Sequence, residues 1–462
     1  MSARVLLAVV LSLSAFAASP SETDWMGVAG ATSEPLSDPV FGANVVLYRA
    51  GPRDGTPVVL IHGLGQNGAR DWGKLIPALA DRYDVFALDL PGFGASDKGN
   101  HLYSPANFAK VIEAAVGTRV GRPFVLFGHS MGGAVSLAYT AAYPQRVSRL
   151  VLVDMAGVLQ RSVYAEYLSR LGAELASGVY PSDAPWFDSL ARIVLTSVEA
   201  IPMSSDVVLG VPALRQRMLR GDSNAIAAYA LVAHDFSRAL RSVKAPTLVV
   251  WGRDDKVAPL RTGQMAAALI PGARLAVIDG TGHTPMLQAT ARFNAIALDE
   301  LSGRLELPPY ALPRAAPPES RTARCKGQRG QSFTGDYKEL VLDDCPGAQI
   351  SNARIGSLAV SGSNVRILNS EIFDRLDAKN SRLEITAGLV RSAEGSPALA
   401  LTASSVDAAG TRFEPGGALV ENRGNVALAL AFSVVEVVRA GGAPAYVHDV
   451  VKVPPYRSWN EK

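Results

Sequence analysis

A chain of 462 residues with 48% apolar and 19% charged residues is globular and long enough for two or three domains with sizeable cores. Its formal charge of +3 is small for that length, so composition offers no case for nucleic-acid binding. The N-terminus, MSARVLLAVVLSLSAFAASP, has one Arg at position 4, an apolar run from Val5 to Ala18 and small residues around Ala15-Phe16-Ala17. It reads as a signal peptide over residues 1–18, so export to a periplasmic or extracellular location is expected. The run of about 14 residues is shorter than the ~20 that cross a bilayer, and no later stretch approaches that length. An uncleaved N-terminal anchor is the alternative.

Residues 19–305 read as one domain. From Pro57 to Leu301 short apolar runs alternate with helical patterns, as in a mostly parallel sheet covered on both faces. Strands are expected at PVVLIH, YDVFALD, FVLFG, SRLVLVD, APTLVVWG and ARLAVID. The interval of about 158–240 breaks the rhythm with amphipathic stretches such as AYALVAHDFSRAL and reads as a helical cap. Residues 306–324 include LPPYALPRAAPPESRTAR, with five prolines between Pro308 and Pro318. This is a semi-rigid linker, and it predicts two independently folding units.

In residues 325–462 apolar positions recur. Leu358, Leu376, Leu399 and Leu419 are followed seven residues later by Val365, Leu383, Val406 and Val426, with units spaced 18, 23 and 20 residues apart. Fourteen residues after the leucines stand Ile372, Val390, Phe413 and, breaking the pattern, Ser433. Three short strands per turn of roughly 20 residues predict a right-handed parallel β-helix, with a β-sandwich as the alternative. Cys325 and Cys345 are the chain's two cysteines; export to an oxidising compartment predicts that they pair. Asp343, Asp344, Asp374 and Asp377 read as solvated turn residues rather than a polysaccharide-cleaving cluster.

The chemistry concentrates in the first domain. Gly128 and Gly132 bracket Ser130 at a strand-to-helix corner, a G-x-S-x-G arrangement that pushes a serine hydroxyl outward. A serine needs a base to take its proton and a carboxylate to hold that base's tautomer. Of six histidines, His283 in VIDGTGHTPM stands in a glycine-rich loop after the last expected strand. Asp254 and Asp255 after APTLVVWG, or Asp154 after SRLVLVD, supply the acid. A competing dinucleotide fingerprint, GLGQNG at 63–68 with Asp89 beyond it, explains none of these later residues.

HGLG at 62–65, DLPGFGAS at 89–96, GHSMGG at 128–133, GRDDKVAP at 252–259 and GHTP at 282–285 together resemble the α/β-hydrolase family, in particular its capped serine esterase and lipase-like members. The resemblance covers about residues 57–301. It implies Ser130 as nucleophile, His283 as base, and Asp255 rather than Asp254 as acid, because Gly252 to Asp255 fits the family's G-x-x-D. It also implies an oxyanion hole at the amides of Leu64 and Met131. One departure is Gln288, where many relatives carry Glu. No metal or organic cofactor is implied. The expected substrate is a small-molecule ester or lipid, cleaved through an acyl-enzyme. The same triad also serves thioester, lactone and carbon–carbon bond hydrolysis and cofactor-free haloperoxidation. An alternative of another class is a binding or adhesion protein whose hydrolase domain is vestigial. The C-terminal repeat, outside the resemblance, is expected to contact a cell surface or polymer.

Overall fold

The computed structural model describes residues 24–159, 205–310, 321–424, 426–435, 445–447 and 451–453. The expected signal-peptide segment and residues 160–204 of the expected cap lie outside the described residues.

Eight strands form the first sheet: β1 Thr32–Asp38, β2 Ala43–Ala50, β3 Thr56–Ile61, β4 Tyr83–Asp89, β5 Phe124–His129, β6 Val147–Val153, β7 Thr247–Gly252 and β8 Arg274–Ile278. Their order is β8-β7-β6-β5-β3-β4-β2-β1; β2 runs antiparallel to β1 and β4, and the other pairs are parallel. All six expected strands are present. The sequence reading missed β1 and β2, since TSEPLSD is a polar edge strand containing proline and carries no apolar alternation.

Alternate residues of the central strands enter two separate cores. Val59, Ile61, Leu126, Leu150, Leu152, Val249 and Trp251 face one layer, while Val58, Leu60, Phe127, Val151, Leu248 and Val250 face the other with Trp72 and Phe293. Burial on both faces is why these strands read as unbroken apolar runs. Helices α1 Pro105–Ile112 and α2 Met131–Ala142 belong to the first layer, and α8 Thr290–Leu301 to the second. Between β6 and β7 lie α3 Ser205–Gly210, α4 Pro212–Leu219, α5 Ser223–Ala233 and α6 Ser237–Ser242; α7 Leu260–Leu269 follows β7. The chain leaves β3 for β4 on one side and β5 on the other. The carboxyl ends of β3 and β5 therefore flank the topological switch point, where open parallel sheets collect their ligands.

The C-terminal region is all β, a nearly closed, almost wholly parallel sheet built from stacked coils. Leu340, Leu358, Leu376 and Leu399 pair along one ladder, Val365, Leu383 and Val406 along a second, and Ile355, Ile372, Val390 and Phe413 along a third, and all are buried in one core. The expected β-helix-like repeat is therefore present, and it starts one coil earlier than the leucine pattern suggested. In the last coil the partners are Val420, Leu428 and Val435, not Leu419, Val426 and Ser433. One residue of the shift is already present at Val420, and a second falls between the strands Val420–Arg423 and Ala427–Ala431. Serine hydroxyls stack between coils: Ser363, Ser381 and Ser404 accept from the amides of Cys345, Ser363 and Ser381 at 2.7, 3.1 and 3.0 Å. Cys325 and Cys345 are joined by a disulfide. Asp343, Asp374 and Asp377 lie on strands Ser332–Asp343 and Glu371–Lys379 rather than in turns.

The two units touch through apolar side chains and two arginines. Ala409, Ala431 and Phe432 of the coils share the core that contains Met265, Ala266 and Ile270. Arg261 on α7 bonds to Thr386 Oγ1 at 2.8 Å and to both oxygens of Asp407 at 3.0 Å, and Arg241 donates to the Phe432 carbonyl at 2.8 Å. At the other end of the linker, Tyr310 N–H donates to Ala273 O at 2.8 Å, and strand Thr322–Lys326 already pairs with Glu339–Asp343. Residues 311–320 lie outside the described residues.

Candidate active site

Ser130 sits between β5 and α2 with φ 53° and ψ −119°. A non-glycine residue in such a conformation costs on the order of 1–3 kcal/mol and persists only where its surroundings over-determine it. Here Ser130 N–H donates to Val153 O at 2.9 Å, while its carbonyl accepts from Gly133 at 3.0 Å and Ala156 at 3.1 Å. A β-carbon on Gly128 would collide with the Gly132 carbonyl, and one on Gly132 would collide with the carbonyls of Ile61 and His62. The two glycines follow from this close backbone approach.

The hydroxyl meets a base. His283 Nε2 lies 2.8 Å from Ser130 Oγ, and His283 Nδ1 lies 2.8 Å from Asp255 Oδ2. The other Asp255 oxygen accepts from the amides of Val257 at 2.8 Å and Ala258 at 3.0 Å. Ser130, Asp255 and His283 are all buried. With Nδ1–H given to the carboxylate, Nε2 is the free acceptor for the serine proton. Asp254 is exposed, and its amide donates to Thr281 O at 2.9 Å. Gln288 Oε1 accepts from Gly282 N at 2.6 Å and so holds the loop just before His283.

Asp154, just after β6, is fully buried, with Oδ1 accepting from Gly252 N at 2.9 Å. Burial first, and the neighbouring Asp255 second, hold its carboxyl well above the ordinary carboxylate range. Asp154, Asp255 and His283 bring one ligand atom each within 4.8 Å of one another, a grouping compatible with a cation. Both imidazole nitrogens are committed to Ser130 and Asp255, however, so the trio offers no free nitrogen ligand.

Met131 opens α2, where helix amides lack an intrahelical acceptor. Leu64 follows Gly63, which is packed so tightly that a β-carbon there would lie 3.1 Å from Ser130 Cβ and 2.9 Å from His129 Nδ1. The amides on either side of Leu64 are tied down: Gly63 N–H donates to Asp71 Oδ2 at 3.3 Å and Gly65 N–H to Asn224 Oδ1 on α5 at 3.0 Å. His62 clamps the same loop, donating from Nδ1 to Gly63 O at 2.7 Å and accepting from Leu90 N–H at 3.0 Å through Nε2. Asp89 accepts from the amides of Ala69 at 2.6 Å and Ala95 at 2.8 Å. It therefore closes two loops, which disposes of the dinucleotide fingerprint.

Sequence reasoning did not find His129, Asn224 or Asp71. His129 donates from Nε2 to the His283 carbonyl at 2.7 Å, and burial with the adjacent His283 lowers its pKa to about 3, so it is neutral. The signal was available for His129, which sits inside the G-x-S-x-G motif. Asn224 and Asp71 carry no motif and are recruited by folding alone.

A strained serine, a histidine and an aspartate in hydrogen-bonded series at the switch point of a mostly parallel sheet define a hydrolase. The chain belongs to the α/β hydrolase fold family, whose model matches residues 56–290, just over half its length. An uncharacterised protein of Mycobacterium tuberculosis is 30% identical over 260 residues, covering 52% of this chain and 73% of that protein. A 2-hydroxy-6-oxononadienedioate/2-hydroxy-6-oxononatrienedioate hydrolase of Cupriavidus pinatubonensis is 30% identical over 253 residues, covering 53% of this chain and 86% of the relative. Among solved structures, a thermophilic esterase of Thermogutta terrifontis aligns at TM-score 0.45 and 22% identity, covering 59% of this chain and 99% of its own.

Proposed function

We propose that this protein is an exported serine hydrolase that cleaves carboxylic esters through an acyl-enzyme. The observation that carries this reading is the unbroken chain from Ser130 Oγ through His283 to Asp255, each link 2.8 Å long. Ser130 attacks the ester carbonyl while His283 takes its proton. The oxyanion is received by the amides of Leu64 and Met131, and Asp255 stabilises the imidazolium. His283 then protonates the departing alcohol, and water delivered by the same base releases the acid. The Cys325–Cys345 bridge supports export, since disulfides persist in oxidising compartments. A groove of about 320 Å³ on the outward face of the coils, lined by Arg375, Asp377, Lys379, Glu421 and Arg423, supports contact with a charged surface or polymer.

Carbon–carbon bond hydrolysis is the second reading, favoured by the name of the Cupriavidus relative. A panel of p-nitrophenyl esters of increasing acyl length, run beside a 2-hydroxy-6-oxodienoate, separates the two. The ester reading expects turnover of the esters to dominate. Preference for the dienoate overturns it.

A further inference from the structure

Asp154 is a buried acid at the triad to which the mechanism above gives no role. It follows β6 directly, in the left-handed region at a φ of 42°, and is fully enclosed. Its amide donates to Val250 O at 3.0 Å, and its Oδ1 accepts from Gly252 N–H at 2.9 Å. Two bonds thus tie it to the end of β7, three residues before Asp255. Its second oxygen, Oδ2, is buried without a hydrogen bond of ordinary geometry, and the carboxylate of Asp255 is the neighbouring side chain to which a protonated Asp154 would donate. The ionisable groups packed around it are Asp255 from the loop after β7, His283 from the loop after β8 and, behind that imidazole, His129 from β5.

Two carboxylates this close in a dry site cannot both be charged. Asp255 accepts two backbone amides and the imidazole N–H, a set that stabilises an anion. Asp154 accepts a single amide and stands beside the Asp255 carboxylate, a set that suits a neutral acid with an O–H to donate. We infer that Asp154 works as a neutral carboxylic acid, a positioning residue that anchors the end of β7 while leaving Asp255 the sole negative charge facing His283. Burial and the repulsion from Asp255 both raise its carboxyl, in agreement. A second carboxylate here would compete for the imidazolium and push proton uptake by His283 to higher pH, leaving less free base at neutrality. A neutral acid supplies the same hydrogen bond without that cost. The inference rests on the triad reading above.

The test follows modification of Ser130 by a fluorophosphonate across pH, which needs an activated serine but no knowledge of the substrate. Asp154→Asn replaces a neutral acid by a neutral amide of the same shape and keeps the acceptor for Gly252. Its labelling rate should stay within about threefold of wild type with an unchanged pH midpoint. Asp154→Ala removes the acceptor and should slow labelling by about tenfold or more, the scale of one buried hydrogen bond. In the infrared, wild type at pH 8 should show the carbonyl band of a protonated carboxylic acid that Asp154→Asn lacks. A rate loss near 10⁴ in Asp154→Asn would make Asp154 the catalytic acid. A midpoint lowered by about one unit would show that it carried charge. Either result overturns the inference, as does a missing infrared band or an Asp154→Asn protein that does not fold. Failure of wild type to label at all would instead sink the serine-hydrolase reading, leaving the infrared measurement to judge Asp154.

Discussion

At Asp254 and Asp255 one position along the chain separates a solvated carboxylate from a buried one that holds an imidazole. Asp255→Asn should lower kcat by about 10⁴, the scale set when a triad loses the group that fixes its histidine tautomer. Asp254→Asn should change kcat by less than about threefold, because an exposed charge gives the imidazolium little. Steady-state kinetics on one ester decides both. His129 makes a stability prediction. Its pKa falls from the usual ~6.5 of an unfolded chain to about 3 in the fold, so the unfolded state binds the extra proton. Its contribution is complete above pH ~6.5 and shrinks as pH falls toward 3, by at most about 1.4 kcal/mol per pH unit. Denaturant melts of His129→Gln should show a flatter loss of stability between pH 6.5 and 4 than wild type. An equal slope would place the proton elsewhere. The triad itself was legible in the sequence because nucleophile, acid and base stand beside glycine-rich turns at strand ends. Their second layer was not, since a neutral His129 and a buried Asp154 are made by packing rather than by spacing.

The elements that position the site divide in the same way. The central strands β3, β5 and β7 were readable because burial on both faces makes each an almost unbroken apolar run, and the elbow glycines because only a hydrogen fits beside the neighbouring carbonyls. The contact between α5 and the loop at 62–65 was hidden, as it spans 159 residues and rests on one side-chain oxygen. Asn224 there accepts the Gly65 amide, so the cap helix holds the loop that presents Leu64. Asn224→Ala should lower kcat by about tenfold with a smaller change in KM, since misplaced oxyanion donors weaken transition-state binding more than substrate binding. A change confined to KM would mean that Asn224 touches substrate instead.

Across the whole molecule the proline-rich linker gives no sign of the surface on either side of it, because composition reports the tether alone. Ala409, Ala431 and Phe432 look like ordinary coil residues, yet they complete a core with Met265 and Ile270, and Arg261 locks the contact. Calorimetry should therefore show one cooperative transition for the full chain rather than two. A chain ending at residue 316 should be less stable or insoluble, and Arg261→Ala should cost about 1–3 kcal/mol by removing the hydrogen bonds to a half-buried Asp407. Two resolved transitions, with the shortened chain as stable as the hydrolase unit in the full one, would restore the picture of independent domains.

The central claim is that Ser130 carries the acyl group, and rapid-quench mass spectrometry of the protein with a p-nitrophenyl ester tests it most directly. Wild type should release a burst of p-nitrophenol matched by an acyl adduct on the peptide that holds Ser130, and Ser130→Ala should show neither. Equal p-nitrophenol release by Ser130→Ala, or an adduct on another residue, would contradict the account.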